Sequence, residues 1–270
     1  MKPLKIMFVT TSLMRGGAET QVFLLARTFA ARGHAVEIVS LRDAEAYTED
    51  LEALSIPFTS LGMRRGIPDP RAIARLARAV RRSGPDVVHS HMVHANLLAR
   101  ITRPFAPVPI LISTAHNLTE GGRWRELAYR WTDRWSTLTT NVSPAAVDRF
   151  VAVGAVPPDR IVFVPNGLDL APFASDEETR AAARRELGLA SSFVWLAVGR
   201  LDPQKDYPSM LRAVAASLAG DAPPFAVLVV GEGELRAGLE RSRDDLGIPP
   251  DTLRFLGGRN DVPRLMAAAD

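Results

Sequence analysis

The sequence predicts an α/β protein made of two doubly wound parallel sheets in tandem. Three observations carry this. Short apolar, β-branched runs alternate with stretches of helical period along the whole chain. The alternation is interrupted once, by a Pro- and Gly-containing stretch, and then restarts. The length of 270 residues exceeds one ordinary small domain and suits two α/β units.

The elements follow in order. Residues 4–11 read as a buried first strand. A helix starts at about Ala18, with Val22, Leu25, Ala26 and Phe29 on one face, and Gly33 stops it. Residues 35–41 form a second strand and 57–61 a short third. Ile73, Leu76 and Val80 mark a helix that ends at Ser83-Gly84-Pro85. Residues 86–89, 110–114, 137–142 and 160–164 are strands four to seven. Each strand runs into a turn and then helix or loop, which is the pattern of parallel βαβ units. Between residues 165 and 192 come Pro165, Gly167, Pro172 and a charged helical stretch, 176–186. Then a strand (193–198), a helix (208–218), a strand (225–230), a helix (234–246), a strand (252–256) and a helix from Asp261 repeat the pattern. The expected domains are 1–170 and 171–270. The second has three strands where the first has about seven, and a three-stranded parallel sheet exposes its edges, so this domain is expected to be incomplete.

Composition narrows the function classes. A hydrophobic content of 47% and a charged content of 23% exclude disorder. No stretch approaches the ~20 apolar residues of a membrane helix. With no cysteine, disulfides, thiolate metal sites and cysteine nucleophiles are excluded. The N-terminal apolar run is broken by Thr10, Thr11 and Ser12 and lacks a small-residue cleavage site, so it reads as a strand and not as a signal peptide. A cytoplasmic location, soluble or on a membrane surface, is the expectation. Net charge is +3, and 30 of the 33 basic residues are arginine, which makes Lys205 conspicuous. Basic runs interleaved with stacking aromatics are missing, so nucleic acid is not an expected partner.

Candidate site residues gather where strands end. Arg15-Gly16-Gly17-Ala18-Glu19 forms the turn from the first strand into the first helix, either an anion site on a helix N-terminus or a plain tight turn. It is not the dinucleotide fingerprint, and Ser40-Leu41-Arg42-Asp43 matches the acidic position of that fingerprint poorly. His89, His91, His94 and His116 cluster near the ends of strands four and five. Three readings are open: a zinc site, which lacks a spaced third ligand; structural histidines; and contacts to hydroxyls or phosphates in the crevice. Gly199-Arg200-Leu201-Asp202-Pro203-Gln204-Lys205 places an arginine fork at a strand exit and a lysine near a helix start, a pair suited to a diphosphate unless the loop is simply solvated. Val230-Gly231-Glu232-Gly233 and Phe255-Leu256-Gly257 end the next two strands.

With these pieces in this order, the chain resembles the retaining glycosyltransferases of family four. The resemblance rests on Gly16-Gly17, His89-x-His91, Thr114-Ala115-His116-Asn117, Val164-Pro165-Asn166-Gly167-Leu168-Asp169, Gly199-Arg200 with Lys205, Val230-Gly231-Glu232-Gly233 and Phe255-Leu256-Gly257, and it spans nearly the whole chain. It implies the GT-B architecture of two Rossmann-like domains. It also implies transfer of a sugar from a nucleotide-sugar donor, with retention, without bound metal or other cofactor. By the same resemblance Arg200 and Lys205 hold the donor diphosphate, Gly17 offers its N–H to it, and His116 contacts the transferred sugar. Gly231, Gly257 and Arg259 lie near the nucleoside, and the N-terminal domain holds the acceptor, with Gly16, His91, Asn117 and Trp124 as its candidate contacts. A nucleotide-sugar 2-epimerase of the same architecture and a non-catalytic nucleotide-sugar-binding protein are the alternatives. Asp206 stands where glycine is frequent in the family. The family's E-x7-E segment, whose glutamates hold donor ribose and sugar, is expected downstream of Asp270, so activity is expected of a longer parent chain.

The acceptor side carries a second signal. Trp124, Leu127, Ala128, Trp131 and Trp135 recur at helical spacing, flanked by Arg123, Arg125, Arg130 and Arg134. Either the tryptophans pack on the sheet, or this helix and the arginines at 71, 75, 78 and 82 meet an anionic membrane, which would imply a lipid-linked acceptor for surface-polysaccharide assembly.

Overall fold

The computed structural model describes residues 2–189, 192–220 and 223–270. The chain divides into two compact units, Met1–Gly167 and Leu168–Asp270.

The first unit runs β1 (Lys5–Thr10), α1 (Gly17–Ala31), β2 (Ala35–Ser40), α2 (Thr48–Ala53), β3 (Phe58–Ser60), α3 (Arg71–Ser83), β4 (Val87–His91), α4 (Val93–Thr102), β5 (Ile110–Ala115), α5 (Arg123–Thr132), β6 (Leu138–Asn141), α6 (Pro144–Ala152) and β7 (Ile161–Phe163). The seven strands are parallel, in the order β3-β2-β1-β4-β5-β6-β7. Apolar clusters cover both faces: Met7, Val9, Leu76, Val80, Val88 and Leu111 on one, and Ile6, Phe8, Val22, Ala26 and Ile38 on the other. Burial on both faces explains why β1 reads as a continuous apolar run and not as an alternating one.

Helices α2, α4 and α6 were not visible as elements in the sequence. They are six, ten and nine residues long. In α4 the buried positions include Asn96, Arg100 and Thr102, so its buried stripe is partly polar and weakens the hydrophobic period. Its Arg100 is completely buried. It donates to Ser113 Oγ at 3.1 Å, the Tyr129 carbonyl at 3.3 Å and Thr139 Oγ1 at 2.6 Å, and stacks on the Tyr129 ring at 4.5 Å. One side chain thus ties α4 to β5, β6 and α5.

The second unit runs α7 (Glu177–Glu186), β8 (Phe193–Val198), α8 (Tyr207–Leu218), β9 (Phe225–Val230), α9 (Arg236–Asp245), β10 (Leu253–Gly257) and α10 (Val262–Ala268). Its three parallel strands are ordered β10-β9-β8. Asp176 caps α7 by accepting from the Thr179 amide at 2.8 Å. The core lies between α8, α9 and the sheet, with Leu201, Leu211, Val227, Val229, Leu239 and Leu253 buried. Among the described residues, no helix is long and apolar enough to cross a membrane.

Candidate functional site

In the first unit β1 is flanked by β2 on one side and β4 on the other, so the strand order reverses between β1 and β4. At such a switch point the loops leaving the carboxyl ends diverge and leave a crevice. Thr10 pairs with His91 there, which sets the Gly16-Gly17 turn and the end of β4 at the same edge of the sheet.

The two glycines differ. A Cβ on Gly16 would stand 2.5 Å from Glu19 Oε2, so Gly16 makes room for its own helix's carboxylate. Glu19 is buried and accepts from Ser12 Oγ at 2.8 Å. Nothing lies within 4 Å of a Cβ placed on Gly17. Gly17 is the first residue of α1, whose cap, Gly16, has no side chain to satisfy the leading N–H groups. Gly17 is therefore the one of the pair open to an anion.

Strand β4 extends to His91, two residues beyond the sequence expectation, and this decides the histidines. His89 and His91 alternate with Ser90 and so share a face, their ring centroids 4.2 Å apart, with Phe8 at 5.5 and 5.9 Å. His89 Nε2 lies 2.7 Å from Thr114 Oγ1, which in turn is 2.6 Å from Thr140 Oγ1. His91 Nδ1 lies 3.0 Å from His116 Nε2. Burial pushes His89 and His116 down to about 4 and lowers His91 as well, so all three rings are neutral. His91, expected at the acceptor, is only 1% exposed and turned inward; its partner is His116. His94 is on α4 and exposed, with no ring contact or hydrogen bond to the three among the described residues. No three His, Asp or Glu side chains converge as metal ligands among the described residues. Asn117 is exposed, and its carbonyl accepts from Asn141 Nδ2 at 3.4 Å.

Helix α5 buries Tyr129 and Thr132 and leaves Trp124, Leu127 and Trp131 exposed at 60%, 51% and 75%. The expectation that these tryptophans pack on the sheet fails for both. Trp135 is not on this helix; it ends the 3-10 turn Asp133–Trp135 and is half-buried. Arg71 and Arg75 of α3 are paired with Asp69.

In the second unit the three strand exits are laced together by main chain. Gly199 N–H donates to the Val230 carbonyl at 2.9 Å, Leu201 N–H to Glu232 at 2.9 Å and Gly231 N–H to Gly257 at 2.9 Å. A Cβ on Gly231 would stand 1.9 Å from the Gly199 oxygen, and one on Gly233 2.3 Å from the Leu201 oxygen. These glycines let two strand exits of the chain itself touch, a role the sequence reading had given to a ligand. Glu232, unmarked in the sequence except by standing between two glycines, accepts from the Gly258 N–H at 2.8 Å and fixes the β10 exit.

On this rim Arg200 is exposed and pairs with Asp202 at 3.0 Å. Lys205 is exposed, with no ion-pair partner for its ammonium among the described residues. It ends the 3-10 turn Pro203–Lys205, which Asp202 caps. Asp206 follows with φ 48° and ψ 43°, the left-handed region, which accounts for the glycine frequent at this position. Arg259 is clamped by both oxygens of Asp261, at 2.8 and 2.7 Å. The unit thus presents a fork and a free ammonium beside a rigid glycine-rich rim, the chemistry of a phosphate-bearing ligand.

Comparison with known proteins identifies the family. The profile of Glycosyltransferase Family 4 matches residues 15–172, and that of Glycosyl transferases group 1 matches residues 179–270. A UDP-Gal:alpha-D-GlcNAc-diphosphoundecaprenol alpha-1,3-galactosyltransferase of Escherichia coli is 30% identical over 76% of this chain and 55% of its own length. A D-inositol 3-phosphate glycosyltransferase of Actinosynnema mirum is 29% identical over 96% of this chain and 66% of its own. The chain therefore spans between about half and two thirds of these relatives. Anabaena Alr3699/HepE, crystallised with UDP and glucose, superposes with a TM-score of 0.84 at 22% identity, over 99% of this chain and 72% of that one. This likeness establishes the GT-B type of fold, two Rossmann-like units in succession. With a family profile covering more than half of its length, the chain belongs to Glycosyltransferase Family 4.

Proposed function

We propose that the protein is a retaining, metal-independent glycosyltransferase that moves a sugar from a nucleotide-sugar donor to a lipid-linked or cell-surface glycan precursor. The observation that carries the reading is the exposed Arg200 and the unpartnered Lys205 ammonium at the β8 exit, on a rim that the Glu232 carboxylate and backbone hydrogen bonds hold rigid. As the bond from the anomeric carbon to the diphosphate breaks, negative charge grows on the leaving oxygen. A guanidinium and an ammonium at the β8 exit stabilise that charge. Within the first unit, the N–H of Gly17 at the start of α1 is a donor suited to an anion. His116, neutral and half-buried, contacts the transferred sugar. The base lies against the strand exits at Gly231 and Gly257, whose mutual hydrogen bond shapes that surface; the Arg259 guanidinium, committed to Asp261, contributes mainly its stem. The relative from E. coli is named for a diphosphoundecaprenol-linked acceptor, which supports the lipid-linked class here.

Transfer from a panel of nucleotide sugars, assayed with the full-length protein, tests this. Arg200→Ala and Lys205→Ala should each lower the rate by about 10²–10³-fold with circular dichroism unchanged. Wild-type rates in both variants overturn the proposal. Epimerisation of the donor without acceptor would assign the protein to the 2-epimerases, and binding without turnover would make it a non-catalytic receptor.

For the acceptor side we place α5 on an anionic membrane surface. Trp124, Leu127 and Trp131 form an exposed apolar face, and Arg123, Arg130 and Arg134 beside it are exposed cations. Aromatic rings at headgroup depth with arginines on the phosphates form an interfacial helix. Sedimentation with phosphatidylglycerol-rich vesicles should fall at least about tenfold in Trp124→Ala/Trp131→Ala. Sedimentation unchanged by the double substitution refutes this placement.

A further inference from the structure

The proposed function gives His116 a part in the site and leaves His91 without one. We infer that His91 is a positioning residue: it donates its Nδ1–H to His116 Nε2 and so fixes His116 as an outward-facing Nδ1–H donor.

The argument is one of hydrogen-bond accounting. At 3.0 Å, one of the two facing nitrogens must carry the proton and the other must accept it. Two arrangements satisfy this. In one, His116 donates from Nε2; His91 Nδ1 is then the acceptor and its proton sits on Nε2. But His91 Nε2 is fully buried and has no hydrogen-bond partner. Its neighbours on that side of the sheet include the Phe8 ring and His89. That arrangement orphans a buried N–H, the rarest kind of unpaired group in folded proteins. In the other arrangement His91 carries its proton on Nδ1 and donates it. Only a bare lone pair on Nε2 is left unpaired, which is the smaller penalty. His116 Nε2 is then the acceptor, so the single proton of the neutral His116 ring must be on Nδ1.

The rest of the cluster supports the same polarity. His89 Nε2 is occupied by Thr114 Oγ1, so it does not compete for either ring. Phe8 and the end of β4 hold His91 in place, since it is the last residue of that strand and pairs with Thr10 and Thr114 on its two sides. Burial keeps all three rings uncharged, which removes the doubly protonated alternative. His116 Nδ1 has no partner among the described residues and is not among the buried unpaired atoms. It is thus free to donate to a ligand oxygen, and under the proposed function that oxygen is a sugar hydroxyl. A free imidazole prefers the opposite, Nε2–H form, so without His91 the donor would mostly point inward.

The functional consequence rests on the reading of His116 as a sugar contact; the tautomer does not, because it is measured on the ligand-free protein. Long-range ¹H–¹⁵N correlation of uniformly labelled protein resolves the five imidazoles, and His116→Gln assigns one of them. The expected result is His116 protonated on Nδ1 and His91 on Nδ1. In His91→Phe, His116 should shift to mainly Nε2–H; in His91→Asn, whose amide places a donor where Nδ1 was, it should return to Nδ1–H. Thermal unfolding of each variant confirms folding. In the transfer assay His91→Phe should lose about tenfold in kcat, and His91→Asn should recover most of it. An Nε2–H His116 in the wild type, or a tautomer unmoved by His91→Phe, overturns the inference. The Nδ1–H tautomer together with full activity of His116→Gln would instead overturn the sugar contact and leave the inference standing.

Discussion

The three histidine rings at the ends of β4 and β5 make folding sensitive to acid. In the unfolded chain an imidazole protonates near pH 6.5. In the folded chain burial holds His89 and His116 down to about 4 and lowers His91 too, with the neighbouring rings adding to the effect in His89 and His91. Between those pH values the unfolded state binds protons that the folded state refuses, so stability is complete above pH 6.5 and declines as pH falls toward 4. Glu120 works in the opposite sense. It is 3% exposed, and burial raises its carboxyl to about 7 against the pull of Arg125 and Asn117. The folded state keeps a proton there that the unfolded carboxyl loses above about 4.5. Burial also lowers His94 and raises Asp133, so four imidazoles stand against two carboxyls; urea midpoints should fall steadily from about pH 7 to about pH 5, and His89→Gln should reduce the slope by about one proton. A profile that is flat or rises on acidification refutes this account. At this scale the sequence displayed the histidines, Arg200 and Lys205, because those residue types are rare or chemically distinctive. It did not display Glu19 or Glu232. Their roles depend on a carboxylate folding back over Gly16 or reaching Gly258, distances that exist only once the turn is built.

Elements were legible where burial is two-sided or strictly periodic. Strand β9, buried on both faces, falls where the apolar run 225–230 places it; β8 also falls at 193–198, although this edge strand leaves Phe193, Trp195 and Val198 exposed. Helix α4 escaped because its buried stripe includes Arg100 and Asn96, which serve hydrogen bonds to Ser113, Thr139 and Tyr129 and disguise the period. The spacing of Trp124, Leu127 and Trp131 matches helix α5, while Trp135 falls in the turn beyond it; spacing does not settle which face is exposed, since packed and solvent-facing stripes have the same period. The turn into α8 supplies a test at this scale. Asp206 is left-handed at φ 48°, and no side-chain cap compensates it. Its neighbour Tyr207 is buried and donates from its hydroxyl to the Gly199 carbonyl at 3.1 Å, so the turn cannot relax without disturbing the β8 exit. A β-branched residue suffers most in this conformation. Asp206→Val should lower the stability of the second unit by about 1–2 kcal/mol, and Asp206→Gly should leave it unchanged or slightly higher. Thermal unfolding measures both; equal midpoints for Val and Gly would mean that the turn is not left-handed in solution.

At the scale of the molecule, the restart of the βαβ pattern announced two units, and the structure divides the chain at Gly167 and Leu168. Each unit has its own buried clusters: residues up to Ile161 build those of the first, and residues from Leu189 onward those of the second. Beyond β7 the connecting segment is exposed from Val164 to Pro172, with Leu168 and Leu170 at 62% and 68%. Its start is pinned, because Gln21 of α1 donates to the Gly167 carbonyl at 2.6 Å and accepts from the Gly167 amide at 2.8 Å. Gln21 thereby pairs with the connecting backbone as a neighbouring strand would, and sequence periodicity has no way to register such a contact. Leu168 and Leu170, just beyond this clamp, are exposed and carry the side chains chymotrypsin prefers. Limited chymotrypsin digestion should therefore cut first at 168–170 and yield two fragments that each remain folded by circular dichroism, since neither core is opened. Gln21→Ala should widen the cleavage window toward Val164 and speed the first cut by about threefold. First cuts inside either sheet, or fragments that lose their secondary structure on separation, would show that the two cores depend on one another.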